Sequence, residues 1–597
     1  MTASFAGSTK QQETMDKYAE RLAALENYTV NGDILLYTKN NRTMEISNFI
    51  PFPVEEIIYA DGYNEERYYI LSAYLLADDN ISLLPQIKVK ASAFMNMGFI
   101  IEQWGLSPML FPPVNSKKDH IRYIINKLGS FADKRKVYIH TGWQLCDGKY
   151  CFLTNGGAIG NSNISVEMDG RLGKYIINYT AETKEKRKAL ENLLALAEKS
   201  IIYPLIAITF LSPLNEFFRQ CGHEPTFILY LLGRTQSKKS TIAALFLSFF
   251  GNFTSSTMPC SFKDTLNALE KKCFYLKDIL TVIDDYHPVT HYKERQEMEQ
   301  KAQYLSRGYG DRTAKDRLRS DAALNSGYIP RGNAIITGED FPNIGQSGAA
   351  RNFIVEITRN DISNLSLLSQ LQQAAEEGVL SSIMRDYIIW LLPQTEDLSE
   401  KIKQSFLSLR LKAHEDNIAV MGRTGDIIAW LTIGIDYFCK FAEYSYLLSV
   451  KVSSEIMISA WSVFAQLSSS QKEKSEEEKP TNMFISAIKE MLESGEILLN
   501  NKSAKIQEND KIITGYYDDD YYYFLPSSVY NKVVSFYRKH GMTFPLTKTR
   551  MFNMLADENL IIIEEGKNGK SNTKQARING EKARYLTFTK TVFNEID

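Results

Sequence analysis

The sequence has few cysteines, no excess of charge of either sign and no long apolar run, and each shortage excludes a class of protein. Its 6 cysteines in 597 residues are scattered and form no CxxC pair, which excludes a disulfide framework. The 69 basic and 71 acidic side chains give a net charge of -2, so nucleic-acid binding would have to come from local patches. The segment MTASFAGSTKQQETMDKYAE has neither the cationic nor the apolar stretch of a secretory signal, and we therefore expect a cytoplasmic protein.

Two local features have a simple structural reading beside a functional one. Cys146 and Cys151 with His140 nearby resemble half of a zinc site, but no second ligand pair follows, and buried thiols are the simpler interpretation. The uncharged stretch around IIYPLIAITFLSPL is too short to span a membrane and contains Pro204 and Pro213. We predict a buried helix there.

The order of apolar patterns and breaks predicts a multidomain α/β protein. The helix over KDHIRYIINKLGSF follows from apolar residues at i, i+3, i+4 and i+7. The segments KVYIHTGWQL, KYCFLTNGGAIG, ISVEM and YIINY predict consecutive strands and hairpins. The predicted parts are an N-terminal α/β region (1–90), a β-rich module (91–182), an ATPase core (183–395), a helical region (396–467), a linker (468–480) and a winged-helix domain (481–597).

A phosphate-binding loop is predicted where the apolar run FILYLL leads into GRTQSKKST and then into an apolar helix. Such a loop turns backbone N–H groups towards phosphate at a helix N-terminus, with a Lys on the β and γ phosphates and a hydroxyl on Mg²⁺. Lys238 stands where the usual motif has its second glycine. The predicted nucleotide-binding residues are Gly233, Arg234, Thr235, Gln236, Ser237, Lys238, Lys239, Ser240 and Thr241.

Two acids end the buried strand ILTVI further along the chain. Asp284 is predicted to hold Mg²⁺ together with Ser240, and Asp285 to orient or deprotonate the attacking water. Asp285 is shorter than the more usual Glu, so the identity of the catalytic base stays open. ATP and Mg²⁺ are the predicted cofactors.

Two further positions extend this site. Thr337 ends the strand of GNAIITGEDFP and is predicted to contact the γ-phosphate and the attacking water, the role called sensor 1. Arg351 directly precedes a fourth apolar strand, where ring ATPases place an arginine that reaches the neighbouring subunit's γ-phosphate. A surface arginine is the alternative reading of Arg351.

Together, GRTQSKKST, TVIDDYHP, RGYGDRTAKDRLRSDAALNSGYIPRGNAIITGEDFP and SGAARNF resemble the MCM-like AAA+ helicases of staphylococcal cassette chromosome elements, the Cch type. The upstream segment YIHTGWQLCDGKYCFLTNGGAIG is similar to the module that precedes the ATPase in that family, so the resemblance spans roughly residues 90 to 360. It implies an AAA+ P-loop core, a hexameric ring and translocation on DNA to replicate an excised mobile element. P-loops of this family also lack the second glycine.

Two basic segments are candidates for DNA binding. One precedes the Thr337 strand and would line a ring channel for single-stranded DNA; a solvated charged loop is the alternative. The other is a C-terminal helix and hairpin suited to duplex DNA, although winged helices also bind proteins. The candidate residues are Arg312, Lys315, Arg317, Arg319, Lys548, Arg550, Lys567, Lys570, Lys574 and Arg577.

Three functions remain open from the sequence. The first is an ATP-dependent DNA helicase or replication initiator. The second is an ATP-switched initiator or loader that does not unwind DNA itself, and the third is an ATPase scaffold that acts on proteins. Only the first two need the basic segments.

Overall fold

The computed structural model describes residues 3–77, 80–177, 179–287, 291–313, 317–318, 324–325, 327–342, 344–416, 418, 423–477, 479–503, 513–540, 544–566, 569–578 and 580–593. The chain divides into two compact units. The larger comprises Met1–Asn343 and Arg351–Phe464, and the smaller comprises Ile344–Ala350 and Ala465–Asp597.

The N-terminal part of the larger unit is built around one mixed sheet of six strands with the order β12-β8-β4-β5-β6, and β7 pairs with β5. Strands β4 and β8 run parallel although about 80 residues separate them, with Glu55 opposite Asp133. The elements are α1 (Ala3–Ala23), β1 (Tyr28–Asn31), β2 (Ile34–Lys39), β3 (Arg42–Ser47), β4 (Phe49–Ala60), β5 (Glu65–Ala77), β6 (Asn80–Leu83), β7 (Ile87–Lys90), α2 (Phe99–Trp104), α3 (Val114–Leu128), β8 (Asp133–Tyr138), β9 (Gly142–Cys146), β10 (Lys149–Thr154), β11 (Gly157–Ile159) and β12 (Ser165–Val166).

This sheet corrects the predicted boundary at residue 90, because strands from both sides of that position belong to it. A parallel pair between distant strands leaves no local signal in the sequence, so the boundary was drawn through the sheet. The predicted helix is confirmed as α3, which buries Ile121, Ile124, Ile125 and Leu128. The segment YIINY is not a strand in its described residues; its Tyr175 is buried and donates a hydrogen bond to the Leu280 carbonyl.

A second sheet forms the centre of the larger unit. Its five strands are all parallel and have the order β14-β15-β18-β13-β19. The elements of this region are α4 (Thr183–Leu194), α5 (Lys199–Leu211), α6 (Asn215–Gln220), β13 (Ile228–Leu232), α7 (Lys239–Leu247), β14 (Cys260–Ser261), α8 (Leu266–Tyr275), β15 (Leu280–Tyr286), α9 (Tyr292–Asp311), β16 (Arg317–Leu318), β17 (Leu324–Asn325), β18 (Asn333–Gly338) and β19 (Asn352–Glu356). Strand β18 lies between β13, which leads into the predicted phosphate-binding loop, and β15, which carries the two acids.

Helix α5 is the apolar helix that the sequence places inside the protein. By length and composition alone, the stretch Lys199–Gln220 could cross a membrane. In the described part of the chain, however, 94% of its most apolar segment is buried inside the protein. It is therefore a core helix.

Four helices after β19 continue the larger unit rather than forming a separate region: α11 (Leu365–Glu376), α12 (Val379–Leu391), α13 (Leu398–Glu415) and α14 (Thr424–Tyr444). Helix α15 (Val450–Glu477) begins in the larger unit and belongs to the smaller unit from Ala465 on, and the short α10 (Gly345–Ala349), which precedes β19, also belongs to the smaller unit. Helix α14 lies so close to α5 that a Cβ atom on Gly434 would come within 2.2 Å of the Ala207 carbonyl oxygen. The predicted linker at 468–480 is helical as far as Glu477, where α15 ends.

The smaller unit contains a sheet of order β20-β21-β22-β26-β25 and a separate β23–β24 hairpin. Its core gathers Phe484, Phe524, Met551 and Leu586 among other buried side chains. The elements are α16 (Pro480–Glu493), β20 (Leu498–Asn501), β21 (Ile513–Tyr517), β22 (Tyr521–Phe524), α17 (Pro526–Lys539), α18 (Lys548–Asp557), β23 (Glu564–Gly566), β24 (Gly569–Ser571), β25 (Lys574–Ile578) and β26 (Glu581–Thr589).

Candidate active site

The predicted phosphate-binding loop connects the carboxyl end of β13 to the N-terminus of α7. Gly233 begins the loop and leaves no room for a side chain, since a Cβ atom there would lie 2.4 Å from Ser237 Oγ and 2.5 Å from the Ile357 carbonyl oxygen. Three residues, Arg234, Thr235 and Gln236, are exposed at the turn of the loop. This is the strand, loop and helix arrangement that presents backbone N–H groups to phosphate.

Lys238 explains how the loop does without its second glycine. Its backbone is left-handed, with φ 65° and ψ 18°, directly before the first residue of α7. A side chain in this conformation costs on the order of 1 kcal/mol. The Lys238 ammonium group donates to the Ile362 carbonyl at 2.8 Å, so the side chain is anchored within the protein and does not extend over the loop.

The lysine and the hydroxyl that the motif requires begin helix α7. Lys239 is buried, and its ammonium nitrogen lies 3.7 Å from Glu339 Oε1. Ser240 and Thr241 follow it and are half-buried. Lys239 and Ser240 are therefore the first two residues of the helix after the loop, which is where the motif places its phosphate-binding lysine and its Mg²⁺-binding hydroxyl.

Thr337 joins the two acids into one hydrogen-bonded group. Its side chain is completely buried at the end of β18. The Thr337 hydroxyl donates to Asp284 Oδ1 at 2.6 Å and accepts from the Asp285 backbone N–H at 3.0 Å. The hydroxyl thus fixes the acid pair, and its predicted contact with the γ-phosphate and the attacking water stays a prediction.

Asp285 has an unusual backbone conformation. Its φ is 73°, and the register of β15 against β18 shifts between Ile283 and Tyr286. A non-glycine residue with positive φ is rare outside turns and functional sites. The Asp285 carboxylate lies 3.4 Å from His287 Nδ1, so the bulge directs this acid towards the end of its own strand.

Glu339, which follows β18 directly, is not among the site residues predicted from the sequence. Glu339 Oε1 accepts a hydrogen bond from the Thr235 hydroxyl at 2.7 Å and is the ion-pair partner of Lys239. A carboxylate at the end of a parallel strand is the pattern that marks the acids of β15, and GED at the end of β18 has the same pattern. This pattern could have identified Glu339.

Arg351 lies just before β19, and its guanidinium is engaged within the chain. It forms two contacts of 3.0 Å with the Asp311 carboxylate, and Arg423 donates to the same carboxylate at 2.9 Å. Burial alone would raise the pKa of Asp311, but the hydrogen bonds from the two arginines outweigh it and hold the pKa below its ordinary value. An arginine that acts on another subunit would have to leave this pair.

A magnesium ion would be held by Ser240 and Asp284. The Thr337 hydroxyl bonds to one Asp284 oxygen, and the other is the natural Mg²⁺ contact or water contact, because hard oxygen donors suit this ion. Among the described residues there is no group of three or more His, Cys, Asp or Glu side chains arranged for a metal. A nucleotide-bound Mg²⁺ needs only one or two protein ligands, so the donor set fits it.

The cysteines do not form a metal site either. Cys146 Sγ and Cys151 Sγ are 3.9 Å apart, but the His140 ring bonds to the Thr141 carbonyl at 2.8 Å and is buried. Burial, reinforced by Arg331, lowers the pKa of His140 well below its ordinary value. These side chains are core groups, in line with the simpler reading of the sequence.

The basic segment before β18 changes its character in the structure. Arg312 is buried, and its guanidinium donates to the carbonyls of Pro225, Pro330 and Gly332. It holds the chain together and cannot face DNA, so we remove it from the DNA-binding candidates. Lys315 and Arg319 lie outside the described residues, as does the side chain of Arg317.

The neighbouring Arg331, which belongs to the same basic segment, is also internal. It packs on the Phe274 ring at 3.8 Å, and burial lowers its pKa to about 10. A basic stretch in the sequence therefore supplies interior arginines as well as surface charge.

Basic side chains of the smaller unit remain candidates for DNA contact. Lys548 and Arg550 are exposed in the first turn of α18, and Lys570 and Arg577 are exposed on the two hairpins. Lys574 is half-buried over the Tyr521 ring, with its nitrogen 5.1 Å from the ring centre, and Lys567 lies outside the described residues.

Acidic neighbours partly offset this charge. Glu564 pairs with Arg584 at 2.7 Å, and Glu565 with Lys570 at 3.4 Å. Exposed pairs of this kind contribute little to stability and are readily exchanged for phosphate.

Comparison with known proteins agrees with this arrangement at the level of fold. A family model described as a domain of unknown function, DUF927, matches residues 112–317, a stretch that includes the phosphate-binding loop and both acids. No curated protein matches the chain. A solved structure described as "SCCmec type IV Cch - active helicase" is similar over 96% of this chain and 99% of its own, with a TM-score of 0.56 and 12% identity.

Two further solved structures are more distant. A JCV helicase covers 44% of this chain and 68% of its own at 15% identity and a TM-score of 0.21. The C-terminal region of NrS-1 covers 68% of this chain and 91% of its own at 12% identity and a TM-score of 0.25. The chain is a multidomain α/β protein, similar in fold to the Cch helicase structure.

Proposed function

We propose that the chain is an ATP-dependent DNA helicase or replication initiator of a mobile genetic element, with an AAA+ core, and that it works in the cytoplasm as a ring of six subunits. The observation that carries the proposal is the group formed by Lys239, Asp284, Asp285 and Thr337 at the carboxyl ends of three adjacent parallel strands. AAA+ ATPases use this strand order, in which the sensor strand separates the two motif strands. The likeness to a helicase over nearly the whole chain supports the same reading.

In this function, ATP is bound by the loop of residues 233–241 and hydrolysed by water. Lys239 neutralises phosphate charge, and Ser240 with Asp284 holds Mg²⁺, which supplies charge neutralisation of the phosphates. Thr337 holds the two acids in place through its hydrogen bonds to the Asp284 carboxylate and the Asp285 backbone N–H. These groups act through position and charge, which is how phosphoryl transfer is mainly catalysed.

We propose that the smaller unit is a winged-helix domain that binds duplex DNA. The exposed Lys548 and Arg550 begin its α18, and the β25–β26 hairpin would act as the wing. Contacts of this kind neutralise phosphates without reading the sequence of bases. Single-stranded DNA would pass through the ring channel.

The first test is Lys239→Ala. Loss of the lysine removes the main countercharge for the phosphates, so we expect ATP hydrolysis and strand displacement on forked DNA to disappear together. Unwinding at the wild-type rate by this variant would refute the mechanism. Blocking each strand of the fork in turn would give the direction of translocation.

The ring is tested by mixing two inactive variants. Arg351→Ala and Lys239→Ala damage opposite sides of a shared site, so mixed rings contain some sites with both residues intact. We expect the mixture to regain part of the ATPase rate. No regain, with both variants shown to associate, would mean that Arg351 does not act between subunits.

A second candidate is an ATP-switched initiator or loader without unwinding activity. The pairing of Arg351 with Asp311 and the contact of the Asp285 carboxylate with His287 favour it, because both would slow hydrolysis. Purified protein that binds DNA in an ATP-dependent way but displaces no strand would support this candidate over the first.

A further inference from the structure

The Thr337 hydroxyl has no hydrogen left to donate to the attacking water. It gives its one hydrogen to Asp284 Oδ1, and one of its lone pairs accepts from the Asp285 N–H. The residue is also completely buried. A neutral hydroxyl is too weak a base to take a proton from water, so the base that activates the water is another residue.

The acid on β15 is already engaged and has a short side chain. Asp285 has the positive φ of a bulged residue, and its carboxylate is 3.4 Å from His287 Nδ1. Its side chain is also one methylene shorter than Glu. Its reach towards a phosphate on Lys239 is therefore shorter than that of a Glu.

Glu339 has the longer side chain and contacts the phosphate-binding loop directly. Its Oε1 lies 3.7 Å from Lys239 Nζ and 2.7 Å from Thr235 Oγ1. Both partners belong to the phosphate-binding loop. An acid in contact with the phosphate-binding lysine lies beside the space that the terminal phosphate must enter.

The backbone around Glu339 is held on both sides. Its N–H donates to the Tyr286 carbonyl at 2.8 Å, and the Tyr230 hydroxyl donates to the Asp340 carbonyl at 2.7 Å. A Cβ atom on Gly338 would lie 2.1 Å from the same Tyr230 oxygen, so this turn can approach β13 only because residue 338 is glycine. The turn gives Glu339 a defined position relative to the loop.

We propose that Glu339 is the catalytic residue that orients and deprotonates the attacking water, an inference that rests on the proposed ATPase function. ATP displaces its carboxylate from Lys239. The water oxygen then forms a bond to the γ-phosphorus, and the bond from that phosphorus to the β–γ bridging oxygen breaks, leaving its electron pair on ADP. The water proton passes to Glu339 and from there to solvent.

The test compares Glu339→Gln with Asp340→Asn and Asp285→Asn in the full chain. Asp340 is the matched control, because it is the next carboxylate in the chain and is exposed to solvent. Turnover is measured at saturating ATP and Mg²⁺, and binding is measured with a fluorescent ATP analogue. Glutamine keeps the size of the side chain and can still accept the Thr235 hydrogen bond, so retained binding shows that the site is folded.

We expect Glu339→Gln to lower turnover by about 100-fold or more, the range for loss of a general base. Binding of the analogue is expected to stay equal or become tighter, since the competing ion pair with Lys239 is gone. Asp340→Asn should keep the wild-type rate. Turnover of Glu339→Gln within about threefold of wild type would overturn the inference, and a dead Asp285→Asn beside it would assign the base to Asp285.

Failure of the proposed function gives a different pattern. In that case the wild-type chain neither binds the analogue nor hydrolyses ATP, and Lys239→Ala changes nothing. Weaker analogue binding by Glu339→Gln with unchanged turnover would show a structural role in the loop and would also overturn the inference.

Discussion

The hydroxyl of Thr337 offers the sharpest test of how the site is held together. Thr337→Val keeps the shape of the side chain and removes only the hydroxyl. A hydrogen bond to a charged group contributes about 1.5 to 3 kcal/mol, and a buried N–H left without a partner costs about 1 to 3 kcal/mol. The contact of Thr337 with the Asp284 carboxylate is a hydrogen bond to a charged group, and its contact with Asp285 satisfies a backbone N–H that would otherwise lose its partner.

If the displaced acids raise the activation free energy of hydrolysis by about 3 kcal/mol, turnover falls by about 100-fold, since 1.36 kcal/mol corresponds to a factor of ten. The assay is steady-state ATP hydrolysis with saturating Mg²⁺, with fluorescent-ATP binding as the check on folding. Thr337→Ser restores the hydroxyl and should recover most of the rate.

Thr209→Val is the matched control. Thr209 is equally buried in the same compact unit, but its hydroxyl donates only to the Leu205 carbonyl of its own helix. This variant should keep the wild-type rate. Wild-type turnover in Thr337→Val would refute the view that the hydroxyl positions the acids.

Three further predictions concern other parts of the chain. Lys238→Gly should keep at least the wild-type ATPase rate, since glycine relieves the positive φ at that position; a dead enzyme with intact folding would show that the Lys238 ammonium acts on nucleotide. Replacing Lys548 and Arg550 by Ala should weaken duplex binding and reduce the slope of log affinity against log salt by about two, as filter binding at several salt concentrations would measure; an unchanged slope would exclude α18 from the contact. The pKa of Asp518 is about 2 because hydrogen bonds from Tyr523, backbone N–H groups and Lys502 outweigh burial. Because its pKa is lower in the folded state, ionised Asp518 stabilises the fold at a pH above the ordinary Asp pKa, and this stabilisation is lost as the pH falls. The free energy of unfolding of the smaller unit, measured with urea, should therefore decrease between about pH 4 and 2, and Asp518→Asn should remove that dependence.

The sequence by itself determined the features that depend on local order along the chain. The run FILYLL, the loop from Gly233 and the apolar helix after Lys239 form a strand, a loop and a helix in the expected places, because hydrophobic periodicity and glycine placement act over a few residues. The two strands that carry Asp284 and Thr337 near their carboxyl ends followed from the same local patterns.

Only the tertiary structure decided which side chains meet and which are buried. The parallel pair of β4 and β8, the ion pair of Lys239 with Glu339 and the burial of Arg312 each join parts of the chain that are tens of residues apart or more. Net charge and spacing cannot distinguish an arginine that faces solvent from one that donates to interior carbonyls, since the difference lies in what the rest of the chain packs against it. For the same reason the left-handed turn at Lys238 and the reach of Glu339 into the phosphate-binding loop became visible only once β13, β15 and β18 lay side by side.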